Sequence, residues 1–216
     1  MRNKLEALTL IQRFGFNPVA IVDVGVATGT IGLYETWPAT KYFLVEALPQ
    51  FDADLQRISA GLADCECVNA FAGRSAGMVE IAVDPNADHA HVIGEAPAEW
   101  GRATVPIVTV DSLVAPLGLG PSTEILLKVD VDGKEIDVLE GARGLLGSDA
   151  VVISEAALLD TDMGRFSQIV VFMSQLGYEV FDIVEPLCRP VDDVLWQVDL
   201  IFCRRSSPLR GLRSFA

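Results

Sequence analysis

Along the first seventy residues, short apolar runs end on a polar residue and alternate with stretches of helical period. "VAIVDVG" and "KYFLVEA" are continuous apolar runs closed by an acid, the form of a strand buried on both faces, and "CECVNAF" is a third strand. Between them, "TIGLYETW", stopped by Pro38, and "QFDADLQRISAGL", with Leu55 and Ile58 inward, read as helices. Ahead of all five, Leu5, Leu8, Ile11 and Phe14 recur at helical intervals until "GFNP" breaks the pattern. Strand, helix, strand, helix, strand predicts a doubly wound α/β sheet.

The order then breaks. "GMVEIAV" reads as an edge strand, "DPNADHAHVIGEAPAEWG" is rich in turn residues without a period, and "ATVPIVTVDSL" returns to extended chain. Alternation resumes with strand "EILLKVDV", helix "KEIDVLEGARGLL", strand "AVVISEA" and a helix from about Met163 to Leu176. Two strands, "YEVFDIV" and "WQVDLIFCR", close the chain. Their link, "EPLCRPVDDVL", holds two prolines and has no room for a helical crossover, so the last strand is expected to run antiparallel. The fold class is thus α/β, doubly wound, with a mostly parallel seven-stranded sheet, an antiparallel last strand and helices on both faces. Without repeats or low-complexity linkers, residues 1–216 read as one domain. It comprises an N-terminal helix over 1–18, an insertion over 84–104 expected to face substrate, and a tail over 206–216 expected to be solvated.

Composition narrows the partners. Half of the 216 residues are apolar, enough for a full core, and the formal net charge is −14. So acidic a surface repels phosphate backbones, which argues against nucleic acid. Four cysteines in a chain of this length make no disulfide framework, and "CEC" lacks zinc-knuckle spacing. No window approaches the roughly 18 apolar residues of a membrane span. A cytoplasmic protein without membrane insertion is the expectation, with homo-oligomerisation left open.

In an open α/β sheet the ligand lies beyond the carboxyl ends of the strands. Here those ends carry Asp23-Val24-Gly25, Glu46, Asn69, Asp130 and Glu155. Acids are depleted in strands, so four strand-end acids point to a task. "VDVGVATGTIG" sets Gly25 at the turn and Gly29 at the helix start, where a missing Cβ lets backbone approach a ligand. Glu46 follows Gly25 by 21 residues, the place of a carboxylate that accepts from both hydroxyls of a ribose. Ala27 and Thr30 occupy the second and third glycine positions of G-x-G-x-x-G, which weakens a pyrophosphate site but leaves a nucleoside-plus-amino-acid ligand open.

At this point the chain resembles an S-adenosylmethionine-dependent methyltransferase of the class I, Rossmann-like fold, and more narrowly the FkbM family. "IVDVGVATGTIGLYE" with "KYFLVEA" carries the general resemblance. "VTVDSLV" followed by "ILLKVDVDGKEIDVLEGARGLL" carries the specific one, similar to the family's T-L-D-x-L and K-I-D-V-E-G-x-E-x-x-V-L-x-G-A. Asp132 stands where that pattern has Glu, and Ala47 where proline is common. The resemblance implies that Asp23, Gly25 and Gly29 lie along the methionine part of the cofactor, with Ala27 in the same loop. It implies that Glu46 binds the ribose, with Ala47 beside it, that Asn69 and Ala70 border the adenine, and that Asp130 sits near the transferable methyl.

Methyl transfer to a hydroxyl gains from a base or a metal that lowers the hydroxyl's pKa. Candidates are Asp130 and Glu155 at adjacent strand ends, and His91, preferred over His89 for its nearness to Val92-Ile93. "DVDG" runs straight from strand to helix and cannot be a loop of about twelve residues of the EF-hand kind. A divalent ion shared by Asp130 and Glu155 is left open but not indicated. Lys128 is expected to pair with Asp130, and Glu135 to meet the helix dipole. The resemblance thus implies O-methylation of a sugar, glycan or small natural product; a Rossmann-type nucleotide-linked oxidoreductase and a non-catalytic cofactor-binding module stay as alternatives.

Overall fold

Asn3 starts the first helix. Its Oδ1 accepts the Glu6 N–H at 2.8 Å while Glu6 Oε2 accepts the Asn3 N–H at 3.1 Å, a reciprocal capping box. Helix α1 (Lys4–Arg13) buries Ala7, Leu8 and Ile11. Leu5 and Phe14, which share the helical spacing, are 39% and 55% exposed. Ala7 shares the buried face and turns Leu5 to its margin, and Phe14 falls beyond the last helical residue. The computed structural model describes residues 2–83, 90–92, 101–131, 133–158 and 165–211.

After α1 come β1 (Ala20–Val24), α2 (Ile31–Thr36), β2 (Lys41–Glu46), α3 (Asp52–Ser59) and β3 (Asp64–Asn69). Next are β4 (Phe71–Ala72), β5 (Gly77–Val83), β6 (Ala90–Val92), β7 (Gly101–Val108) and α4 (Val110–Val114). The chain continues through β8 (Glu124–Val129), α5 (Glu135–Glu140), β9 (Asp149–Ala157), α6 (Arg165–Gln175), β10 (Tyr178–Cys188) and β11 (Leu195–Arg204).

Seven strands form the main sheet in the order β10-β11-β9-β8-β1-β2-β3. β11 is antiparallel to both of its neighbours, while the pairs β9–β8, β8–β1, β1–β2 and β2–β3 are parallel. This is the expected sheet, with its antiparallel last strand. Alternate side chains feed two cores. Val22, Val24, Leu127 and Val129 point to the face covered by α4, α5 and α6; Ile21, Leu44 and Leu126 point to the face covered by α1, α2 and α3. The strand order reverses at β1 and β8, which puts the ligand crevice above Val24 and Val129.

The excursion after β3 does not extend this sheet. β4, β7, β5 and β6 form a second sheet, in the order β4-β7-β5-β6. Its Ile81 and Val105 pack on Ala47, Leu48 and Phe51, with Ala27 at the edge of the same cluster. The inserted segment therefore rests against the carboxyl end of β2. Residues 84–89 and 93–100, including His89, lie outside the described residues. His91 is described only through its backbone, which pairs with Ala82 in β5.

The C-terminal segment departs from the expected solvated tail as far as residue 211. A 3-10 turn at Pro208–Arg210 buries Leu209 in the second core, and Arg210 Nη2 meets Glu179 Oε2 at 2.7 Å. One leucine and one ion pair are sufficient to dock a short segment whose composition alone reads as solvated. Among the described residues no helix is long and apolar enough to cross a membrane.

Candidate active site

Two strand ends meet so closely at the crevice that only glycine fits. A Cβ on Gly25 would lie 1.7 Å from the backbone oxygen of Asp130, and Gly25 has φ +73°. The Gly25 N–H donates to the Val45 carbonyl and the Asp130 N–H to the Val24 carbonyl, so the turn is tied to β2 on one side and β8 on the other. Further on, a Cβ at Gly29 (φ +113°) would reach 2.9 Å from Ile58 Cδ1. Ala27, at the second glycine position, has φ +45°. The loop thus keeps a left-handed turn that glycine adopts freely and alanine adopts only at some expense.

Glu46 closes this loop over the end of β2. Its Oε2 accepts the Ala27 N–H at 2.9 Å and its Oε1 accepts the Leu48 N–H at 2.9 Å. The residue is 7% exposed. A carboxylate has about four acceptor positions, so each oxygen retains one for a further donor. Ala47 and Ala70 are buried beside it, and Asn69, at the exposed end of β3, donates from Nδ2 to Asp52 Oδ1 at 2.8 Å. Asp52, at the start of α3, brings a carboxylate to this end that no local pattern singled out.

Asp23 lies beneath the loop rather than at its surface, with no exposed area. Its Oδ2 accepts the Tyr34 hydroxyl at 2.7 Å and its Oδ1 accepts Thr30 Oγ1 at 3.3 Å. Burial, and then the Asp23 charge, push the Tyr34 hydroxyl far above its ordinary pKa, so it stays a proton donor to Asp23. Asp23 therefore reaches the crevice through the loop it braces.

Asp130 and Glu155 are brought together. A side-chain hydrogen bond links Glu155 to Asp130. Burial pushes the Asp130 carboxyl up, but the Lys128 ammonium, the Glu155 hydrogen bond and the more distant Lys4 outweigh it and hold its pKa below the usual value. The Asp130 side chain is 39% exposed, which leaves it open to the crevice. Lys128 Nζ lies 3.4 Å from Asp130 Oδ2, the expected pair, and 3.3 Å from Asp23 Oδ1.

Four further side chains frame this end, of which only Glu135 has a sequence signal of its own. Lys4 of α1 pairs with Asp199 of β11 at 2.7 Å, and Asp199 stands opposite Glu155 in the β9–β11 register. Glu135, expected to serve the α5 dipole, is also buried, and its Oε1 accepts the Gly133 N–H at 2.8 Å. Arg165 of α6 lies over Gly133, its Nη1 2.8 Å from where a Cβ would stand. Asp132 lies outside the described residues. Among the described residues no group of three or more His, Cys, Asp or Glu is arranged to hold a metal ion.

Solved structures share this architecture. A Clostridium thermocellum protein assigned as an rRNA-methylase is 10% identical and superposes with a TM-score of 0.50, over 94% of this chain and 97% of that one. Precorrin-6y C5,15-methyltransferase from Geobacter metallireducens is 15% identical over 95% of this chain and 93% of that one, with a TM-score of 0.48. Magnesium protoporphyrin IX methyltransferase from Synechocystis, solved with S-adenosylmethionine bound, is 10% identical over 93% of this chain and 79% of that one, with a TM-score of 0.48. No match to a curated protein is found. The family model for the FkbM methyltransferase domain matches residues 23–180, from the buried acid of β1 into β10. The residues present fit the cofactor of such enzymes: a turn without a Cβ at the crevice, and a carboxylate with acceptor capacity to spare at the end of β2. S-adenosylmethionine is the cofactor, and the chain belongs to the FkbM family of methyltransferases.

Proposed function

We propose that this methyltransferase acts on a hydroxyl of a sugar, a glycan or a small natural product, with Asp130 as the general base. The observation that carries the reading is the Asp130–Glu155 pair, a carboxylate kept ionised by Lys128 at the open end of β8. S-adenosylmethionine supplies an electrophilic methyl on a sulfonium. Asp130 would take the proton that the acceptor hydroxyl gives up on methylation. Glu155 steadies the ionised Asp130 through the hydrogen bond between them. Lys4, at the N-terminus of α1, and the second sheet, resting on Ala47 and Leu48, wall this end, and the insertion over 84–104 would complete the acceptor pocket. A net charge of −14 supports a neutral or cationic acceptor over a nucleic acid.

The test is transfer of labelled methyl from S-adenosylmethionine across a panel of sugars, glycans and hydroxylated metabolites, with amine and RNA acceptors alongside. An ether product on a sugar or metabolite hydroxyl is expected. Labelling confined to nitrogen or to RNA would overturn the acceptor class, and a panel without turnover would favour the non-catalytic alternative.

On the cofactor side, Glu46 binds the ribose diol in this reading. Glu46→Ala removes an acceptor for two hydroxyls and also frees the Ala27 and Leu48 N–H groups. A hydrogen bond to a charged group contributes about 1.5–3 kcal/mol, so calorimetry should show a loss of about 100-fold or more in S-adenosylmethionine affinity. Wild-type affinity in this variant would remove Glu46 from the ribose.

A further inference from the structure

Lys128 is a lysine almost wholly out of water, 4% of its side chain exposed, on the central strand β8. Burying an ammonium is unfavourable unless its donors are all met. Here Nζ donates to the Gly25 carbonyl at 2.6 Å and lies 3.4 Å from the Val24 carbonyl, 3.3 Å from Asp23 Oδ1 and 3.4 Å from Asp130 Oδ2. Burial presses the ammonium toward neutrality, but Asp23 and then Asp130 outweigh it and raise its pKa, so the group is charged.

The geometry is more than that of a counter-ion for Asp23. The parallel register sets Lys128 opposite Asp23, so a direct, closer pair is within reach. The shortest contact goes instead to the Gly25 carbonyl, which the left-handed turn brings to the ammonium. Asp23, for its part, already accepts from the Tyr34 and Thr30 hydroxyls. Lys128 stands between three groups that differ in function: the buried acid that braces the loop, the carbonyl of the cofactor turn and the Asp130 carboxylate.

We propose that Lys128 is a positioning residue whose ammonium holds the Gly25 turn and the Asp130 side chain at a fixed separation. The cofactor side and the acceptor side of the crevice are then set by one group, across the point where the strand order reverses. A cofactor bound along the turn thereby presents its methyl at a constant distance from Asp130. This rests on the placement of Asp130 at the methyl.

The experiment separates positioning from charge balance. Lys128→Met alone leaves Asp23 buried without its cation and is expected to lower Tm sharply. Combining it with Asp23→Asn removes both charges, and Tm should return close to the wild-type value. Calorimetric titration of that double variant with S-adenosylmethionine should nonetheless show a loss of roughly tenfold or more relative to Asp23→Asn alone, because the Gly25 carbonyl and Asp130 have lost their common donor. An affinity in the folded double variant equal to that of Asp23→Asn alone would reduce Lys128 to a counter-ion and overturn the proposal. Should the double variant fail to fold, Lys128→Arg carries the test, since it keeps the charge but moves the donors off these oxygens. A loss of about fivefold or more supports positioning, and unchanged affinity overturns it. Because cofactor binding is the readout, failure here is distinct from failure of Asp130 as a base, which only turnover reveals.

Discussion

Gly25→Ala is expected to unfold the crevice, lowering stability by about 3–5 kcal/mol and abolishing S-adenosylmethionine binding in whatever remains folded. Two effects add. A left-handed residue with a Cβ is disfavoured by about 1–2 kcal/mol, and forcing new atoms into packed surroundings by about 1–3 kcal/mol. The second lies at its upper end here, since the obstacle 1.7 Å away is the backbone oxygen of Asp130 and no rotamer can turn it aside. Relief requires β1 and β8 to part, which stretches the Asp130 N–H to Val24 carbonyl bond and the Lys128 contact to the Gly25 carbonyl. Against a total stability of about 5–15 kcal/mol, that loss should lower Tm by about 6–20 °C. Gly77→Ala is the control: a Cβ there meets nothing within 4 Å and φ is not left-handed, so Tm should hold. A Gly25→Ala protein with the Tm and cofactor affinity of the wild type would show that the crevice is far more compliant than its packing implies.

The same position shows what the sequence can and cannot convey. The strands β1, β2, β8 and β9 are legible because burial on both faces leaves unbroken apolar runs, and the antiparallel β11 is legible because its link to β10 has no room for a crossover. Gly25 could be read as a turn glycine, but the contact that demands it comes from Asp130, on a strand far along the chain. The second sheet was not legible as a sheet, since β4 pairs with β7 across more than thirty residues, and periodicity carries no information about partners. The exposure of Leu5 and Phe14 on α1 was not legible because spacing identifies a stripe without saying how wide the covering surface is. Within the site, strand-end acids stood out by being rare in strands. Their partners did not: Lys128 joins Asp23 through the β1–β8 register, and Lys4 meets Asp199 from the other end of the chain.

Asp130→Asn is expected to lower kcat by about 100- to 10,000-fold, the range of a lost general base, with S-adenosylmethionine affinity changed much less. The asparagine oxygen can still accept from Lys128 Nζ, now at 3.4 Å from Asp130 Oδ2, so the fold should survive the change. The pH dependence follows from the direction of the shift. Lys128 and Glu155 together outweigh burial and depress the Asp130 pKa in the folded protein. Asp130 is therefore already ionised at neutral pH, and if it is the base, kcat/KM of the wild type should stay level as pH falls into the ordinary carboxylate range before declining. The matching stability contribution is present above the unfolded-state pKa and is lost as pH falls through the folded one. Glu155→Gln keeps a hydrogen-bond partner for Asp130 and should leave the acid limb nearly in place. Glu155→Ala removes the partner and should move that limb upward, with a smaller fall in kcat than Asp130→Asn. The acceptor identified by the methyl-transfer panel serves for all three variants. Wild-type kcat in Asp130→Asn would leave Asp130 as a wall of the pocket and send the search for the base elsewhere. A fall in kcat whose pH limb ignores Glu155 would break the link between the pair's geometry and its chemistry.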